Sequence, residues 1–458
     1  MAPQLEADYL VVGAGAAGMA FTDALIDHAD VSVVMVDRRH GPGGHWLDAY
    51  PFVRLHQASA FYGVPSTLLG TGRIQTEGPE KGLHERATAP EICSYYDRVM
   101  SERFARSGKV QFFPSCEYDG GNHFTNRLSG EPFEVPGARI VDATYLSPDI
   151  PAVTPPPFGA AEGTHVIPVN DLVKLEDEPS QYVIAGSGKT ATDAVIWLLA
   201  SGVDPDAITW VRPRDPWMLN RAVVQPNPVV FLGMAADVMQ IATEASDPDD
   251  LFLRMEERGI MLRIDRTVTP TMAKTPTLAE WELEQLRTIE DVVRLGHIDR
   301  VEPGRLVCEQ GDATIAPDAV VVHCAASGLQ YPPLVPIWGE DAVRLQPIRS
   351  GFPCFGAALA GYVEATIGED AEKNRLCPPS PLSNTTPDWA EMQVLGNKSS
   401  LAFGSNDAIK QWANTVSLNP ARVPPEFQGS EELAHVMDKL RTHMGPGMER
   451  LAQLARMS

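Results

Sequence analysis

Short apolar runs that end in glycine-rich turns are the most regular feature of the chain, and the first lies close to its N-terminus. Leu10–Val12 leads into the turn Gly13–Gly18, which is followed by a helix-like segment at Met19–His28 and a second apolar run at Val31–Asp37. Apolar runs of this length on either side of a helix-length segment are typical of buried parallel strands. The pattern therefore predicts a βαβ unit at the start of the chain.

The same pattern occurs a second time. Tyr182–Ala185 is apolar, Gly186–Ala191 is rich in glycine and small residues, and Thr190–Ala200 and Ala207–Val211 have the character of a helix and a strand. Ala319–Cys324 adds one more buried strand. Two such units predict an α/β fold with two Rossmann-like dinucleotide-binding domains.

The rest of the chain is predicted to be mostly helical. Residues 216–295 contain the charged amphipathic stretches Asp249–Arg258 and Leu278–Leu295 and are expected to form a helical insertion. Further predicted elements are a helix at Ala89–Arg106, strands at Val110–Phe113 and Ala138–Tyr145, and helices at Glu431–His443 and Met448–Met457.

A proline-rich stretch marks the crossing between the two domains. Pro148, Pro151 and Pro155–Pro157 form a stiff connector, because proline fixes φ and removes a backbone donor. The predicted division assigns residues 1–155 to the first domain, 156–330 to the second domain with its insertion, 331–376 to a return into the first domain, and 377–458 to a helical C-terminal segment.

Charge and cysteine content narrow the function classes. The 458-residue chain carries a formal net charge of −23, which opposes nucleic acid and anionic membranes as partners. Its six cysteines form no C-x-x-C pair, which disfavours disulfide-reductase chemistry and a zinc site, and no metal is predicted. No apolar run reaches the roughly 18 residues of a membrane span, and no signal peptide is recognised. A cytoplasmic location is expected.

The first turn has the residues that a bound diphosphate requires. Gly13 permits the tight turn, Gly15 lets the backbone approach a pyrophosphate, and Gly18 lets the helix pack closely on the strand. The helix N-terminus then presents free N–H groups to the phosphates. Asp37 ends the second strand, where a carboxylate accepts hydrogen bonds from ribose hydroxyls. The alternative is a glycine-rich loop that binds no nucleotide.

The second turn, Gly186-x-Gly188-x-x-Ala191, is a variant of the same fingerprint. The Lys189-Thr190 pair does not make a P-loop, because Val183 stands where that motif needs glycine. The following strand leads into Arg212 and Arg214 rather than into an acid. Arginine pairs bidentately with a 2′-phosphate, which favours NADPH over NADH. The alternative is two solvated loop arginines.

The segment after Asp37 carries a family resemblance. Gly43-Gly44-His45-Trp46 and the stretch Tyr50–Tyr62 resemble the corresponding motifs of flavin-dependent monooxygenases of the flavin-containing and Baeyer–Villiger type. Arg54, Ser59 and Tyr62 match the second motif, whereas Phe52 and His56 replace its glycine and aspartate. Asp142–Tyr145 and Ala325–Gly328 are similar to the two crossover turns that link the domains of that family.

The resemblance assigns FAD to the first turn and NADPH to the second. The residues predicted to bind these cofactors are Gly13, Gly15, Ala17, Gly18, Asp37, Arg38, Gly44, His45, Trp46, Ser59, Tyr62, Gly186, Ser187, Gly188, Lys189, Thr190, Arg212, Arg214, Ser327 and Gly328.

The chemistry that the resemblance implies is the transfer of one oxygen atom from O2 to a small organic substrate through a C4a-peroxyflavin, at the expense of NADPH. Arg54 is then expected to stabilise an anion, Gln57 to hydrogen-bond the intermediate, and His45 and His56 to move protons near neutral pH. The alternative for the two histidines is simple packing near the flavin.

Two other functions stay open at this stage. The family's histidine fingerprint before the second turn is altered here to Phe158–Pro168, in which the glycine spacing differs and no aromatic residue follows His165 at the usual place. This departure leaves room for an FAD-dependent NAD(P)H dehydrogenase or reductase that does not use O2 as an oxygen donor. A flavin-bound protein without catalysis is the third possibility, which the intact Gly186 and Gly188 disfavour.

Overall fold

The first glycine turn and the helix after it connect two neighbouring strands of a parallel sheet. The computed structural model describes residues 2–328 and 330–456. The first part of the chain forms β1 (Tyr9–Val12), α1 (Ala16–His28), β2 (Val33–Val36), β3 (Gly63–Val64), β4 (Thr67–Leu68), α2 (Ala89–Arg98), β5 (Val110–Phe113), β6 (Cys116–Gly120), β7 (His123–Asn126), β8 (Pro132–Glu134) and β9 (Arg139–Asp142).

Strands β9, β1, β2 and β5 lie side by side in that order and are all parallel. Tyr9 of β1 pairs with Val33 of β2, and Val33 pairs with Val110 of β5. The strands are continuous apolar runs because both faces of the sheet are covered, by α1 on one side and by the antiparallel meander β6–β8 on the other. The meander was not recognised in the sequence.

The predicted helix Ala89–Arg106 is only partly regular. A capping box between Thr88 and Glu91 starts α2, and after Arg98 the chain continues as a π-helix over Val99–Ala105. In a π-helix each N–H bonds to the carbonyl five residues earlier and not four, a local widening that the side-chain pattern of this short segment did not reveal.

The second domain repeats the arrangement around the second turn. Its elements are β10 (Gly159–Ala160), β11 (His165–Pro168), β12 (Tyr182–Ala185), α3 (Lys189–Ala200), β13 (Ile208–Val211), β14 (Trp217–Asn220), α4 (Pro228–Glu244), α5 (Pro248–Glu257), β15 (Met261–Arg263), β16 (Thr277–Leu278), α6 (Glu280–Leu286), β17 (Val292–Val293), β18 (Ile298–Glu302), β19 (Arg305–Cys308), β20 (Gly311–Thr314) and β21 (Val320–His323). Strands β11, β21, β12, β13 and β17 form its parallel sheet, in that order.

The predicted helical insertion over residues 216–295 also contains strands. The insertion contains α4, α5 and α6, but also a small sheet in which β14 lies between β15 and β16. The stretch Leu278–Leu295 is helical only over α6, because Val292 and Val293 are β-branched and pair with β13 as the edge strand of the parallel sheet.

The chain then returns to the first sheet. Strand β22 (Val343–Arg344) pairs with β9, and helix α7 (Pro353–Thr366) packs along α1. The two helices touch so closely that a Cβ on Gly361 would lie 2.2 Å from the carbonyl oxygen of Phe21. This contact fixes α7, and the loop before it, against the first domain.

Helices α8 (Asp370–Leu376), α9 (Thr386–Gly404), α10 (Asp407–Thr415) and α11 (Glu431–Leu454) complete the chain. The two predicted helices at Glu431–His443 and Met448–Met457 are in fact the single helix α11, which contains Pro446; Met457 lies outside the described residues. Packing against α4 holds α11 together across the proline, and Gly447 lies so close to α4 that a Cβ there would be 2.6 Å from the Met239 carbonyl oxygen.

The predicted fold class is confirmed: two Rossmann-like domains share the chain with an insertion and a helical C-terminal segment. In the described part of the chain, no helix combines the length and apolar character needed to cross a membrane.

Candidate dinucleotide and substrate site

The first glycine turn is built as the fingerprint predicts. Gly13 has a φ of 103°, which favours glycine, and a Cβ on Gly18 would lie 2.0 Å from the Gly13 carbonyl oxygen. Gly15 is the N-cap of α1 and no side chain caps the helix, so its first N–H groups are free to bind an anion. Ala17 lies in this first turn of the helix. Gly44 closes the site from the other side, since a Cβ on it would be 2.9 Å from the Gly15 Cα.

Asp37 is fixed at the end of β2. Its carboxylate is 6% exposed and accepts the N–H of Ala14 at 2.7 Å and that of Arg39 at 2.8 Å. Each carboxylate oxygen keeps a second lone pair for a ribose hydroxyl. The side chain of Arg38 points to solvent. Together with the open end of α1, these residues fit the adenosine diphosphate part of a dinucleotide.

An aromatic group follows the first turn. The Trp46 indole N–H donates to the Tyr62 hydroxyl at 2.6 Å, and the His45 and Trp46 rings are 5.2 Å apart. Burial, assisted by the charge of Arg39, lowers the pKa of His45 to about 4. His45 is therefore neutral at pH 7.

His56 is neutral for a similar reason. Burial lowers its pKa to about 3, with further lowering by the positive charges of Lys189 and Arg221. Its carbonyl oxygen accepts the Nε–H of Arg221 at 3.0 Å, which fixes the backbone of this segment. Both histidines are therefore neutral near pH 7, the form in which an imidazole accepts a proton, and their predicted roles in proton transfer stay predictions.

The remaining predicted catalytic residues do not converge. The side chain of Arg54 is exposed, since it alternates with the buried Val53 and Leu55 on a segment that bridges to Thr88. The Gln57 amide donates to the carbonyl oxygen of Gly351 at 3.0 Å, in the loop before α7. The structure therefore separates Arg54 from the other predicted residues.

Ser59 has a structural contact in place of the predicted cofactor contact. It is buried, and its hydroxyl accepts the N–H of Ala87 at 2.8 Å. This bond holds the resemblance segment against the chain that leads into α2. Only the local motif match suggested a cofactor role, and the motif did not reveal this long-range partner.

The second turn shares the backbone geometry of the first. Gly186 has a φ of 132°, and a Cβ on it would lie 2.9 Å from the Cys324 carbonyl oxygen. Gly188 is the N-cap of α3 without a side-chain cap, and a Cβ there would meet no atom within 4 Å. Ser187 is buried beside them, and Thr190 lies in the first turn of α3. The open space in front of a free helix N-terminus fits a diphosphate.

Lys189 does not extend toward this open space. It is 7% exposed, forms an ion pair with Asp193, and has its Nζ 3.8 Å from the Glu282 carboxylate. The Tyr50 hydroxyl donates to the other oxygen of Asp193 at 2.7 Å. The prediction of Lys189 as a cofactor ligand is corrected, because its charge is already neutralised within a contact between the two domains.

A buried ion network continues from this contact, and sequence reasoning missed it. Arg221 is fully buried and binds Glu80 at 2.6 Å and Glu282 at 2.7 Å, while Arg86 also pairs with Glu80. Although burial opposes ionisation, Lys189 and Arg221 lower the pKa of Glu282 to about 2. The network joins the first domain, α3 and the insertion. Its members are far apart in sequence, so no local motif marks it.

The two predicted phosphate-binding arginines differ. Arg212 is 2% exposed, stacks on Trp210 with 4.8 Å between guanidinium carbon and ring centre, and lies 3.2 Å from Asp215. Burial lowers its pKa, and its Nε and Nη1 have no hydrogen-bond partner within the described chain. Arg212 is therefore buried beside Asp215 and is not a solvated loop residue, and its role as a phosphate ligand stays a prediction.

Arg214 is the more accessible of the pair. It donates to the Thr271 carbonyl oxygen at 2.8 Å and to the Asn384 side chain at 3.3 Å. Lys274 lies nearby and donates to the Ser327 carbonyl oxygen at 3.1 Å; burial and the charge of Arg214 lower its pKa. Among the described residues no carboxylate pairs with Arg214 or Lys274. Lys274 was missed because it comes from the insertion.

The two crossover turns support the glycine turns. Thr144 lies against Gly13, where a Cβ would be 3.0 Å from its Cγ2. Gly328 pairs with Asp149 through backbone hydrogen bonds in both directions, at 3.0 and 3.2 Å, so the two connections between the domains run side by side. Ser327 offers its carbonyl oxygen to Lys274, and its predicted role and that of Gly328 in binding a cofactor stay predictions.

Comparison with known proteins shows what this chain is similar to. A family model described as an NAD(P)-binding Rossmann-like domain matches residues 11–62, which contain the first turn. An uncharacterized protein of Mycobacterium tuberculosis is 39% identical over 458 residues, which span 99% of this chain and 85% of that protein. An uncharacterized protein of Mycobacterium bovis matches to the same extent.

Solved structures match over the whole chain at low identity. A polycyclic ketone monooxygenase from the fungus Thermothelomyces thermophila has a TM-score of 0.52 and 13% identity, covering 100% of this chain and 89% of its own. A steroid monooxygenase bound to NADP has a TM-score of 0.46 and 13% identity, covering 98% of this chain and 97% of its own. The first of these matches supports the fold alone.

Proposed function

We propose that this chain, which belongs to the same family as the Mycobacterium tuberculosis protein and has the fold of flavin-containing and Baeyer–Villiger monooxygenases, is an FAD- and NADPH-dependent monooxygenase. It transfers one oxygen atom of O2 to a small organic substrate, and the other oxygen leaves as water. The observation that carries the proposal is the pair of uncapped helix N-termini, at Gly15 and Gly188, on two domains that contact each other.

FAD, when bound, accepts a hydride and activates O2. The free N–H groups of α1 would hold its diphosphate and Asp37 would hold its ribose. Trp46 and Tyr62, locked by their mutual hydrogen bond, pack beside the site. His45 and His56 donate or accept hydrogen bonds there without adding a charge.

The reductant would be held in front of α3, with its diphosphate at Gly188, where a Cβ would meet no atom within 4 Å. Arg214 and Lys274 supply two positive charges without a carboxylate partner in the described chain, which suits a 2′-phosphate and favours NADPH. The buried network around Arg221 holds the two domains at the distance seen here, so it sets how the two cofactors approach each other.

A second candidate is an NAD(P)H dehydrogenase or reductase that passes electrons to another acceptor. The altered histidine fingerprint favours it, because His165 is exposed at the first residue of β11. The glycine turn lies at the opposite, carboxyl end of the parallel strands, so His165 does not reach a nicotinamide bound there.

Rapid mixing of the FAD-reconstituted full chain separates these functions. Anaerobic mixing with NADPH bleaches the flavin absorbance faster than mixing with NADH does. Under air, with an accepted substrate, the monooxygenase consumes NADPH and O2 in equal amounts and releases little hydrogen peroxide. Full recovery of the electrons as peroxide, or turnover only with a quinone, supports the reductase. A flavin that neither nucleotide bleaches contradicts both and indicates a non-catalytic flavoprotein.

A further inference from the structure

Arg349 is a half-buried cation without a counter-ion. Its Nη1 donates to the Ser400 hydroxyl at 2.6 Å, and its guanidinium carbon lies 5.9 Å from the centre of the Phe231 ring. No carboxylate pairs with it anywhere in residues 2–328 and 330–456. Burial alone lowers its pKa to about 10, with no contribution from any charged neighbour.

Three buried arginines, unlike Arg349, have acidic partners. Arg86, Arg212 and Arg221 each lie beside at least one carboxylate. The chain has 60 acidic residues against 37 basic ones, so acids are plentiful. Burying a charge without a partner destabilises a protein, which makes such a residue uncommon unless a ligand completes the pair.

Arg349 lies where three parts of the chain meet. It belongs to the loop before α7, two residues from the Gly351 carbonyl oxygen that Gln57 binds. Phe231 comes from α4 of the insertion, and Ser400 comes from α9 of the C-terminal segment. The bond from Gln57 ties this loop to the segment that contains His56 and continues to Tyr62, so the cation is adjacent to the resemblance segment.

The surroundings of Arg349 are aromatic. Phe352 packs edge-to-face on Phe231 with 5.6 Å between ring centres, and on Phe61 with 5.2 Å. Arg349 keeps part of its surface accessible to solvent. Since Nη1 is bound to Ser400, the Nε and Nη2 edge is left without a protein acceptor among the described side chains. That edge matches the two oxygens of one carboxylate.

We propose that Arg349 binds the carboxylate of the organic substrate. The assignment rests on the proposed function for the presence of an organic substrate, and it narrows that substrate to an aromatic or aliphatic monocarboxylate. A single two-pronged donor in an aromatic wall recognises a carboxylate better than a phosphate dianion, which is usually held by several donors.

The test uses phenylacetate, phenylbutyrate and phenylhexanoate, each paired with its primary amide. Binding to the full chain is followed in two ways: by the rise in melting temperature, which needs no flavin, and by the change in flavin absorbance after FAD reconstitution. The variants are Arg349→Met, Arg349→Lys and, as a control on an exposed strand, Arg300→Met.

The expected result is that at least one acid binds more tightly than its amide. Arg349→Met then weakens the acid by at least about tenfold, roughly 1.4 kcal/mol, and leaves the amide unchanged. Arg349→Lys retains part of the preference and Arg300→Met all of it. Without ligand, Arg349→Met melts no lower than the parent chain, because an unpaired buried charge has been removed.

Equal binding of every acid and its amide overturns the proposal, as does failure of all three acids to bind. A fall in the melting temperature of Arg349→Met with no change in acid preference assigns Arg349 a structural role and also overturns it. Failure of the proposed function has a different signature: no flavin is retained or bleached, while the melting-temperature arm still reports on carboxylate binding.

Discussion

The two glycine turns have nearly the same backbone conformation, but the side chains around them differ. In the first, Gly18 packs against Gly13, and the carboxylate of Asp37 is already oriented by two backbone N–H groups. In the second, Ala191 takes the place of the third glycine and Arg212 is folded inward against Asp215 and Trp210. Lys189, next to the turn, is held in an ion pair with Asp193.

The site at the first turn is therefore preformed, whereas the site at the second turn is completed by residues from other parts of the chain. The first turn needs only its own βαβ unit and the Gly44 loop. The accessible cations of the second come from Arg214, just after the βαβ unit, and from Lys274 in the insertion. A cofactor that stays bound suits the first arrangement, and a reductant that enters and leaves in each turnover suits the second.

The largest expected effect comes from exchanging glycine and alanine at the third position of each turn. Gly18→Ala places a Cβ 2.0 Å from a backbone oxygen that cannot move freely, so we expect a loss of about 4 kcal/mol or more in unfolding free energy. The matched change Ala191→Gly removes a methyl group from the second turn and costs about 1 kcal/mol. Urea unfolding measures both, and similar losses for the two variants would show that the turns are packed alike.

A smaller loss is expected from the network behind the second turn. Glu282→Gln leaves Lys189 and Arg221 without one buried partner, and we expect a loss of about 3 kcal/mol in unfolding free energy. Arg305→Met, which breaks the exposed pair with Asp312, serves as the control and costs less than about 0.5 kcal/mol. If Glu282→Gln unfolds at the same urea concentration as the control, the network does not stabilise the domain contact.

The preference for NADPH over NADH is expected to depend on Lys274 of the insertion. Lys274→Met removes one of the two available cations and weakens NADPH by about tenfold, or roughly 1.4 kcal/mol, while NADH binding is unchanged. Retention of FAD is the internal control, since the first turn is untouched. Equal loss of NADPH and NADH would show that Lys274 does not contact the 2′-phosphate.

The last expected effect is a dependence of stability on pH. The pKa of His56 falls from 6.5 in the unfolded chain to about 3 in the folded one, so the unfolded state binds more protons across this interval and stability falls as pH decreases below 6.5. His56→Gln removes one such proton and reduces the slope by at most about 1.4 kcal/mol per pH unit. Unfolding free energies of both chains at pH 7, 6 and 5 measure the change. Parallel curves would mean that His56 titrates normally in the folded protein.

The sequence predicts the βαβ units well because their signals are local. Gly13, Gly18, Gly186 and Asp37 each have the place that the fingerprint requires, since one turn and its two strands determine it. The resemblance segment after Asp37 also led to the correct fold class.

Contacts between residues that are far apart in the sequence could not be predicted from local signals. The contact of Lys189 with Glu282 could not be predicted, because it depends on how α6 packs against α3, whereas Asp193 lies on α3 itself, four residues after Lys189. Arg349 had no signal at all, since an arginine in a loop is usually solvated and its isolation follows only from the packing of α4 and α9 around it. The insertion was misjudged for the same reason, because strand β17 exists only by pairing with β13.

The account depends most on the presence of two separate dinucleotide sites. Equilibrium titration of the full chain with FAD, followed by titration of the FAD-bound protein with NADPH in the absence of air, tests this directly. The account predicts one FAD per chain, retained on gel filtration, and then reduction of that flavin by NADPH without loss of FAD. A colourless protein that takes up no FAD, or NADPH that binds only by displacing FAD, would contradict it.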